Sequence, residues 1–162
     1  MAGELETARR LALDAGSLIA KTLTGAKRIE YKSEINLVTE TDQEAESMIL
    51  AGLAEAFPDH SVVAEESAAS KAGSGPCWYV DPLDGTMNFV HGLPHCAVSI
   101  ALIVDSRPQV AVVYDPCKQE LFEAKRRDGA TLNGNRIEVS RVDRLADSLM
   151  VTGFPTTGES IY

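Results

Sequence analysis

Positive charge is scarce in this chain. Lys and Arg number 15 against 24 Asp and Glu in 162 residues, which gives a net charge of −9 and a pI near 4.8. Non-specific nucleic-acid binding needs a basic footprint, so no nucleic-acid partner is expected. Cysteine is sparse as well: Cys77, Cys96 and Cys117 are odd in number and show no Cys-x-x-Cys spacing. Neither a disulfide framework nor a zinc site is indicated, and the three read as buried free thiols. No apolar run approaches a membrane span, and the residues after Met1 lack the apolar core of a signal peptide. A cytoplasmic protein with no membrane partner is the expectation. Among the histidines, His91 and His95 are separated by Gly92 and Pro94, so they cannot share a helix face, and the glutamate of His-Glu-x-x-His is missing. Gly73-Ser-Gly75 lacks the third glycine and the Lys-Ser/Thr of a phosphate loop. No nucleophile elbow and no internal repeat are present.

What is there is ordinary globular material, with a hydrophobic fraction of 44% and a charged fraction of 24%. A chain of this length buries roughly 70% of its unfolded surface as one domain. From Glu4 to about Thr22, Leu5, Ala8, Leu11, Ala12, Ala15, Leu18 and Ile19 recur at steps of three and four and predict an amphipathic helix. Lys27 to Lys32 alternates like a short exposed strand. Thr41-x-x-Glu44 has capping-box spacing and predicts a second helix with Met48, Ile49, Leu50, Leu53 and Phe57 on its buried face. Asp42 falls in that helix's first turn, where on its own it reads as complementing the helix dipole. Ser61-Val-Val-Ala64 reads as a buried strand that delivers Glu65 and Glu66 at its end. Neighbouring strand residues point to opposite faces, so only one of these can share a site with later carboxylates. Spacing alone does not choose; Glu65 is the candidate. Ala68 to Pro76 is a small, Gly-rich surface connection.

Strands follow at His95–Val104 and Gln109–Tyr114 around an Asp105-Ser-Arg-Pro turn, then at Glu120–Lys125, and Asn133-Gly134 is a strong hairpin signal. Short connections imply an antiparallel sheet. Two helices followed by a run of strands give an α+β layout. Arg141 to Ser148 reads as a polar link with helical character, and Leu149 to Thr152 as the start of another strand.

Between these parts lies Trp78-Tyr-Val-Asp-Pro-Leu-Asp-Gly-Thr-Met-Asn-Phe-Val-His-Gly-Leu-Pro94. Trp78, Tyr79 and Val80 suit a buried strand, and Pro82 predicts that it stops at Asp81. Asp81-Pro82-Leu83-Asp84 fits a type I turn, whose ends approach within about 7 Å. Two carboxylates held so close require a proton or a cation between them. Oxygen ligands on a tight turn suit Mg²⁺, usually bound by one or two carboxylates plus substrate phosphate. Gly85 lets a ligand approach the main chain, and Thr86 opens a segment whose free N–H groups would attract phosphate. The competing reading is an acidic surface turn. An EF-hand is a poor third option, because the position of its closing glutamate holds Gly92.

Three segments in order, Asn36-Leu-Val-Thr-Glu-Thr-Asp42, Val63-Ala-Glu-Glu-Ser67 and Trp78 to Pro94, resemble the inositol monophosphatase family of lithium-sensitive, magnesium-dependent phosphatases. Val110-Ala-Val-Val-Tyr-Asp-Pro116 and Thr152-Gly-Phe-Pro155 look most like its bacterial branch. The resemblance implies hydrolysis of inositol monophosphate or a similar small sugar phosphate by metal-activated water, with two or three Mg²⁺ ions and inhibition by lithium. It implies that Glu65, Asp81 and the Leu83 carbonyl hold one ion, and that Asp81 and Asp84 help to hold a second. Gly85 and Thr86 would bind the phosphate, with Glu65, Leu83 and Asp84 lining the same substrate site. Thr86, Asp42 and Glu65 would orient the attacking water, which replaces the dipole reading of Asp42. The implied fold is the first half of a layered αβαβα sandwich, residues 1–148, with 149–162 beginning the second half. A Trp-Asp-x-Ala-x-Gly segment, which would complete the second metal site, has no match in these residues. The sheet face that the second half covers would then be exposed apolar surface. A homodimer acting on a small phosphate ester is the implied whole protein. The alternatives are a non-catalytic fragment or regulatory module that keeps partial metal binding, and a relative acting on another sugar or nucleotide phosphate.

Overall fold

In the computed structural model, which describes residues 2–23, 29–33, 36–65 and 75–151, the first helix is laid down where the apolar stripe places it. α1 (Ala2–Thr22) buries Ala8, Leu11, Ala12, Ala15 and Ile19. A small antiparallel pair follows, β1 (Ile29–Ser33) with β2 (Asn36–Thr39), and then α2 (Glu40–Ala56). α2 buries Ala45, Ile49 and Leu53, and its capping box lies two residues earlier than the sequence suggested. The cap is Thr39 and its N3 partner is Asp42: the Asp42 N–H donates to Thr39 Oγ1 at 3.3 Å and the Thr39 N–H donates to Asp42 Oδ2 at 2.9 Å. A shorter carboxylate replaces the usual Glu or Gln there, because Asp at N3 still reaches the cap amide.

The remaining strands form one seven-stranded sheet in the order β3 (Ser61–Ala64), β4 (Cys77–Asp84), β5 (Ala97–Val104), β6 (Arg107–Asp115), β7 (Glu120–Lys125), β8 (Gly129–Leu132) and β9 (Asn135–Ile137). It is not wholly antiparallel. β3 pairs parallel with β4, Ala64 beside Val80, because the stretch joining them is long enough to return the chain to the starting end. Most of that connection lies outside the described residues, as do Lys27, Gly73, Glu66 and Thr152. Leu149 to Val151 are exposed and form no strand, and Leu145–Asp147 is a 3₁₀ turn.

β4 also runs further than Pro82 led us to expect. Asp81 pairs with Ser99 and Asp84 with Ala97, so three steps on β4 match two on β5. This is a bulge, the place in a sheet where proline and its missing N–H are tolerated. The β5–β6 connection is tighter than the four-residue turn expected, since Asp105 and Ser106 both take positive φ, 48° and 58°, as a two-residue type I′ turn requires.

The two helices cover one face of the sheet, α2 over β4 and α1 over β5 to β7. Trp78, Val80, Val98, Ile100, Leu102, Val110 and Val112 alternate onto that face and are buried. Each large apolar side chain removed from water stabilises the fold by about 1.5–3 kcal/mol. Trp78 is fully buried, and its indole N–H donates to His60 Nδ1 at 3.0 Å while His60 stacks on Phe57. On the other face Tyr79, Val113 and Ile137 are 38–39% exposed. No described helix covers that face.

Gly16 of α1 faces Tyr114, and a Cβ there would stand inside van der Waals contact of the ring carbons Cδ1 and Cε1. Alanine raises helix propensity by about 1 kcal/mol, but overpacking costs about 1–3 kcal/mol. Gly16→Ala is therefore expected to lower unfolding stability by about 1 kcal/mol in urea titrations. Gly3→Ala, with open space around it, should not lower it. Equal behaviour of the two would contradict this packing.

Candidate active site

The site forms where β3 and β4 end and β5 begins. Glu65 is the first residue past β3, and its N–H donates to the Val80 carbonyl at 3.2 Å, which sets it beside Asp81. The bulge turns the next residues across the strand end. The Leu83 N–H donates back to Asp81 Oδ1 at 3.1 Å, so the loop carries its own carboxylate clamp. Glu65 and Asp81 share a cleft of about 340 Å³ on the uncovered face with Tyr79, Ser99 and Ala101. Asp84 and Gly85 line a neighbouring cleft of about 220 Å³ with Asn88, Cys96 and Asp115.

Asp42 comes to this corner from the first turn of α2. It is fully buried, and its carboxylate is filled: Oδ2 accepts from the Thr39 N–H and from the Thr39 hydroxyl, and Oδ1 accepts from Thr86 Oγ1 at 2.9 Å. The Thr86 hydroxyl also lies 3.0 Å from the Leu83 carbonyl. One hydroxyl thus joins the helix carboxylate to the strand-end loop. Asp42 keeps its capping role as well, so the dipole reading and the site reading describe one carboxylate. The local signal for the Thr39 cap is Thr39-x-x-Asp42, which Thr41-x-x-Glu44 outranks on sequence alone because Asp is the less usual N3 residue.

Gly85 sits at φ 90°, in the left-handed region, as the cap of the short helix α3 (Thr86–Val90). A Cβ at this position would lie 2.9 Å from the His95 carbonyl oxygen, so space and backbone both require glycine. Asn88 Nδ2 donates to the same carbonyl at 2.8 Å and holds the loop shut behind Gly85. Asp115, also unforeseen, faces the Gly85 cleft. Burial opposes its charge, but the Lys118 ammonium and the N–H groups of Lys118 and Cys117 prevail and hold its carboxyl below the usual range. A larger cleft of about 420 Å³ between α1 and the β7–β8 hairpin contains none of these groups. Its charges pair among themselves, Arg9 with Glu123 and Lys125 with Asp128.

Burial first, then the negative charge and hydrogen bonding of Glu65, then the charge of Asp84, push the Asp81 carboxyl from 3.8 up to about 8. That is the signature of carboxylates too close to ionise together. The available donors are all hard oxygens: Glu65, Asp81, Asp84 and the remaining lone pair of the Leu83 carbonyl. This set fits a small divalent cation such as Mg²⁺. Among the described residues, no three Asp, Glu, His or Cys side chains converge closely enough to hold an ion by themselves. The Leu83 carbonyl could supply a further oxygen ligand.

An α+β sheet whose strand ends gather hard oxygens beside a glycine cradle is an arrangement that could hold a cation next to an anionic ligand. Residues 3–160 match the model of the inositol monophosphatase family, to which this chain belongs. An inositol monophosphatase from Mesembryanthemum crystallinum is 45% identical over 152 residues, covering 91% of this chain and 56% of that protein. Nus factor SuhB from Pasteurella multocida is 42% identical over 154 residues, covering 93% and 58%. The crystal structure of the extragenic suppressor protein suhB from Bartonella henselae superposes with a TM-score of 0.82 at 35% identity, over 86% of this chain and 55% of that one. The chain therefore spans somewhat over half the length of the relatives it matches. Among the described residues, no helix is long and apolar enough to cross a membrane.

The Asp81 shift carries a sign. Its folded value lies above its unfolded one, so its contribution to stability is fully present below about pH 4 and is lost as pH rises toward 8. The urea midpoint of metal-free protein should fall across that window, and Asp81→Asn should flatten the fall. A midpoint with the same pH dependence in both proteins would contradict the crowding.

Proposed function

We propose that this chain carries the metal and phosphate half-site of a magnesium-dependent phosphomonoesterase acting on inositol monophosphate or a similar small sugar phosphate. The observation that supports it most is the Thr86 hydroxyl held between Asp42 Oδ1 at 2.9 Å and the Leu83 carbonyl at 3.0 Å, directly after Gly85. In this reading Glu65, Asp81 and the Leu83 carbonyl hold one Mg²⁺, while Asp81 and Asp84 contribute to a second. Bound there, Mg²⁺ supplies neutralisation of phosphate charge and a lowered pKa for coordinated water.

The ester phosphate rests against the Gly85–Thr86 backbone, in the cleft that Asp84 and Gly85 line. Thr86 spends its single proton on Asp42 and Leu83, so its remaining lone pair accepts a hydrogen bond from water. Asp42, anchored by Thr39, fixes that polarity by acting only as acceptor. Glu65 takes the second proton of the water and aims the oxygen at phosphorus, in line with the leaving alkoxide. The P–O ester bond breaks as the new one forms, the alkoxide takes up a proton, and free alcohol and inorganic phosphate depart.

In the complete protein, Asp84→Asn is expected to lower Mg²⁺-stimulated phosphate release on the order of 10²–10³-fold, as loss of one stabiliser of transition-state charge does. Unchanged release would sink the proposal. A second reading, a binding or regulatory module, draws on the relatives named Nus factor SuhB and on the incomplete ligand set. Clear Mg²⁺-dependent turnover of inositol monophosphate by the 162-residue chain would eliminate it, and a panel of other sugar and nucleotide phosphates would fix the substrate. The first reading also takes a homodimer without nucleic-acid or membrane partners, in keeping with the net charge of −9, and sedimentation of the complete protein tests the dimer.

A further inference from the structure

We propose that Cys96 and Cys117 are a reversible oxidation site, a thiol pair that peroxide converts to a disulfide tying the strand behind Gly85 to the β6–β7 turn. Their sulfurs lie 3.9 Å apart, across two segments 21 residues apart in sequence. The β5–β6 register, with Val98 opposite Tyr114, continues to place Cys96 opposite Pro116, one residue from Cys117.

The two thiols differ in access. Cys96 is 5% exposed, whereas Cys117 is only partly buried. Peroxide therefore meets Cys117 first: its sulfur attacks, the O–O bond breaks, and sulfenic acid and one water result. The Cys96 sulfur then displaces the hydroxyl from that sulfur, the S–S bond forms, and the thiol proton leaves with the hydroxyl as a second water. Two thiols have lost two electrons and two protons, and peroxide has become two waters. A dithiol reductant reverses the change. Cys77 lies on the far end of β4, beside Ile103 rather than beside these sulfurs, and takes no part.

Closure to the bonded distance of about 2.05 Å draws the sulfurs together by roughly 2 Å. Cys117 is held in place: Asp115 Oδ1 accepts from the Cys117 N–H at 2.9 Å and the Lys118 N–H at 3.0 Å, and Lys118 Nζ grips Asp115 Oδ2 at 2.6 Å. The displacement falls mainly on Cys96. Cys96 Cα stands 3.4 Å from where a Gly85 Cβ would be, next to the His95 carbonyl that accepts from Asn88. The disulfide thus pulls on the wall behind the loop that binds phosphate in the proposed function, and its effect on turnover rests on that reading.

The test treats the chain with hydrogen peroxide, then alkylates and digests it for mass spectrometry, with hydrogen exchange measured in parallel. The expected result is a loss of two hydrogen atoms, a linked Cys96–Cys117 peptide, reversal by dithiothreitol, and altered exchange of the amides from Gly85 to Cys96. Cys117→Ser and Cys96→Ser should each abolish the link, and either variant alone suffices should the other fail to fold. Oxidation of Cys117 to sulfinic acid without a link would overturn the proposal, as would a link that leaves exchange over Gly85 to Cys96 unchanged. Neither readout uses metal or turnover, so failure here is distinguishable from failure of the phosphatase reading.

Discussion

Burial of the Asp81 carboxyl beside Glu65 and Asp84 is the constraint on which the rest of this corner depends. Glu65 and Asp84 are exposed, while Asp81 between them is partly buried. Burial first, then Glu65 and the charge of Asp84, hold the Asp81 proton on to about pH 8. Such crowding persists only where backbone geometry enforces it. The parallel β3–β4 pair enforces it on one side, since the Glu65 amide is bonded to the Val80 carbonyl and cannot drift from Asp81. The bulge enforces it on the other, because Pro82 sits where the ladder skips and Asp84 resumes pairing with Ala97.

The strands that carry these groups are fixed from the helical face. The fully buried Trp78 and the Val80, Ile100 and Val112 rows fasten the strands that carry the site. Asp42 is a different case from Asp81. Its carboxylate is fully buried, where Asp81 is only partly so, and takes three donors, two from Thr39 and one from Thr86. One carboxylate of this corner thus anchors a hydroxyl, while Asp81 and its neighbours crowd a strand end.

Much of this was legible from the residues, for identifiable reasons. The α1 stripe, the buried face of α2 and the hairpins are local patterns, and short-range periodicity finds them. Asp81, Asp84, Gly85 and Thr86 lie within six residues of sequence, so turn chemistry alone put them together. Joining Asp42 and Glu65 to them needed the family resemblance, since nothing local relates α2 to β4. The parallel pairing of β3 was not legible, because strand direction depends on a connection whose path spacing does not encode. Nor was the continuation of β4 past Pro82, because the rule that stops a central strand at proline has bulges as its exception. The cap at Thr39 was misplaced by two residues through preference for Glu over Asp. The closeness of Cys96 and Cys117 is a product of register, and three odd cysteines in a sequence carry no trace of it.

If the crowded carboxylates are a cation site, the proton on Asp81 must leave when the cation enters. Titrating Mg²⁺ into the metal-free chain at pH 7, in buffers of different ionisation enthalpy, measures that proton directly by calorimetry. Release on binding, fading above about pH 9 and absent in Asp81→Asn, is the expected result. Mg²⁺ binding with no proton released at pH 7, or with the same release from Asp81→Asn, would contradict the assignment.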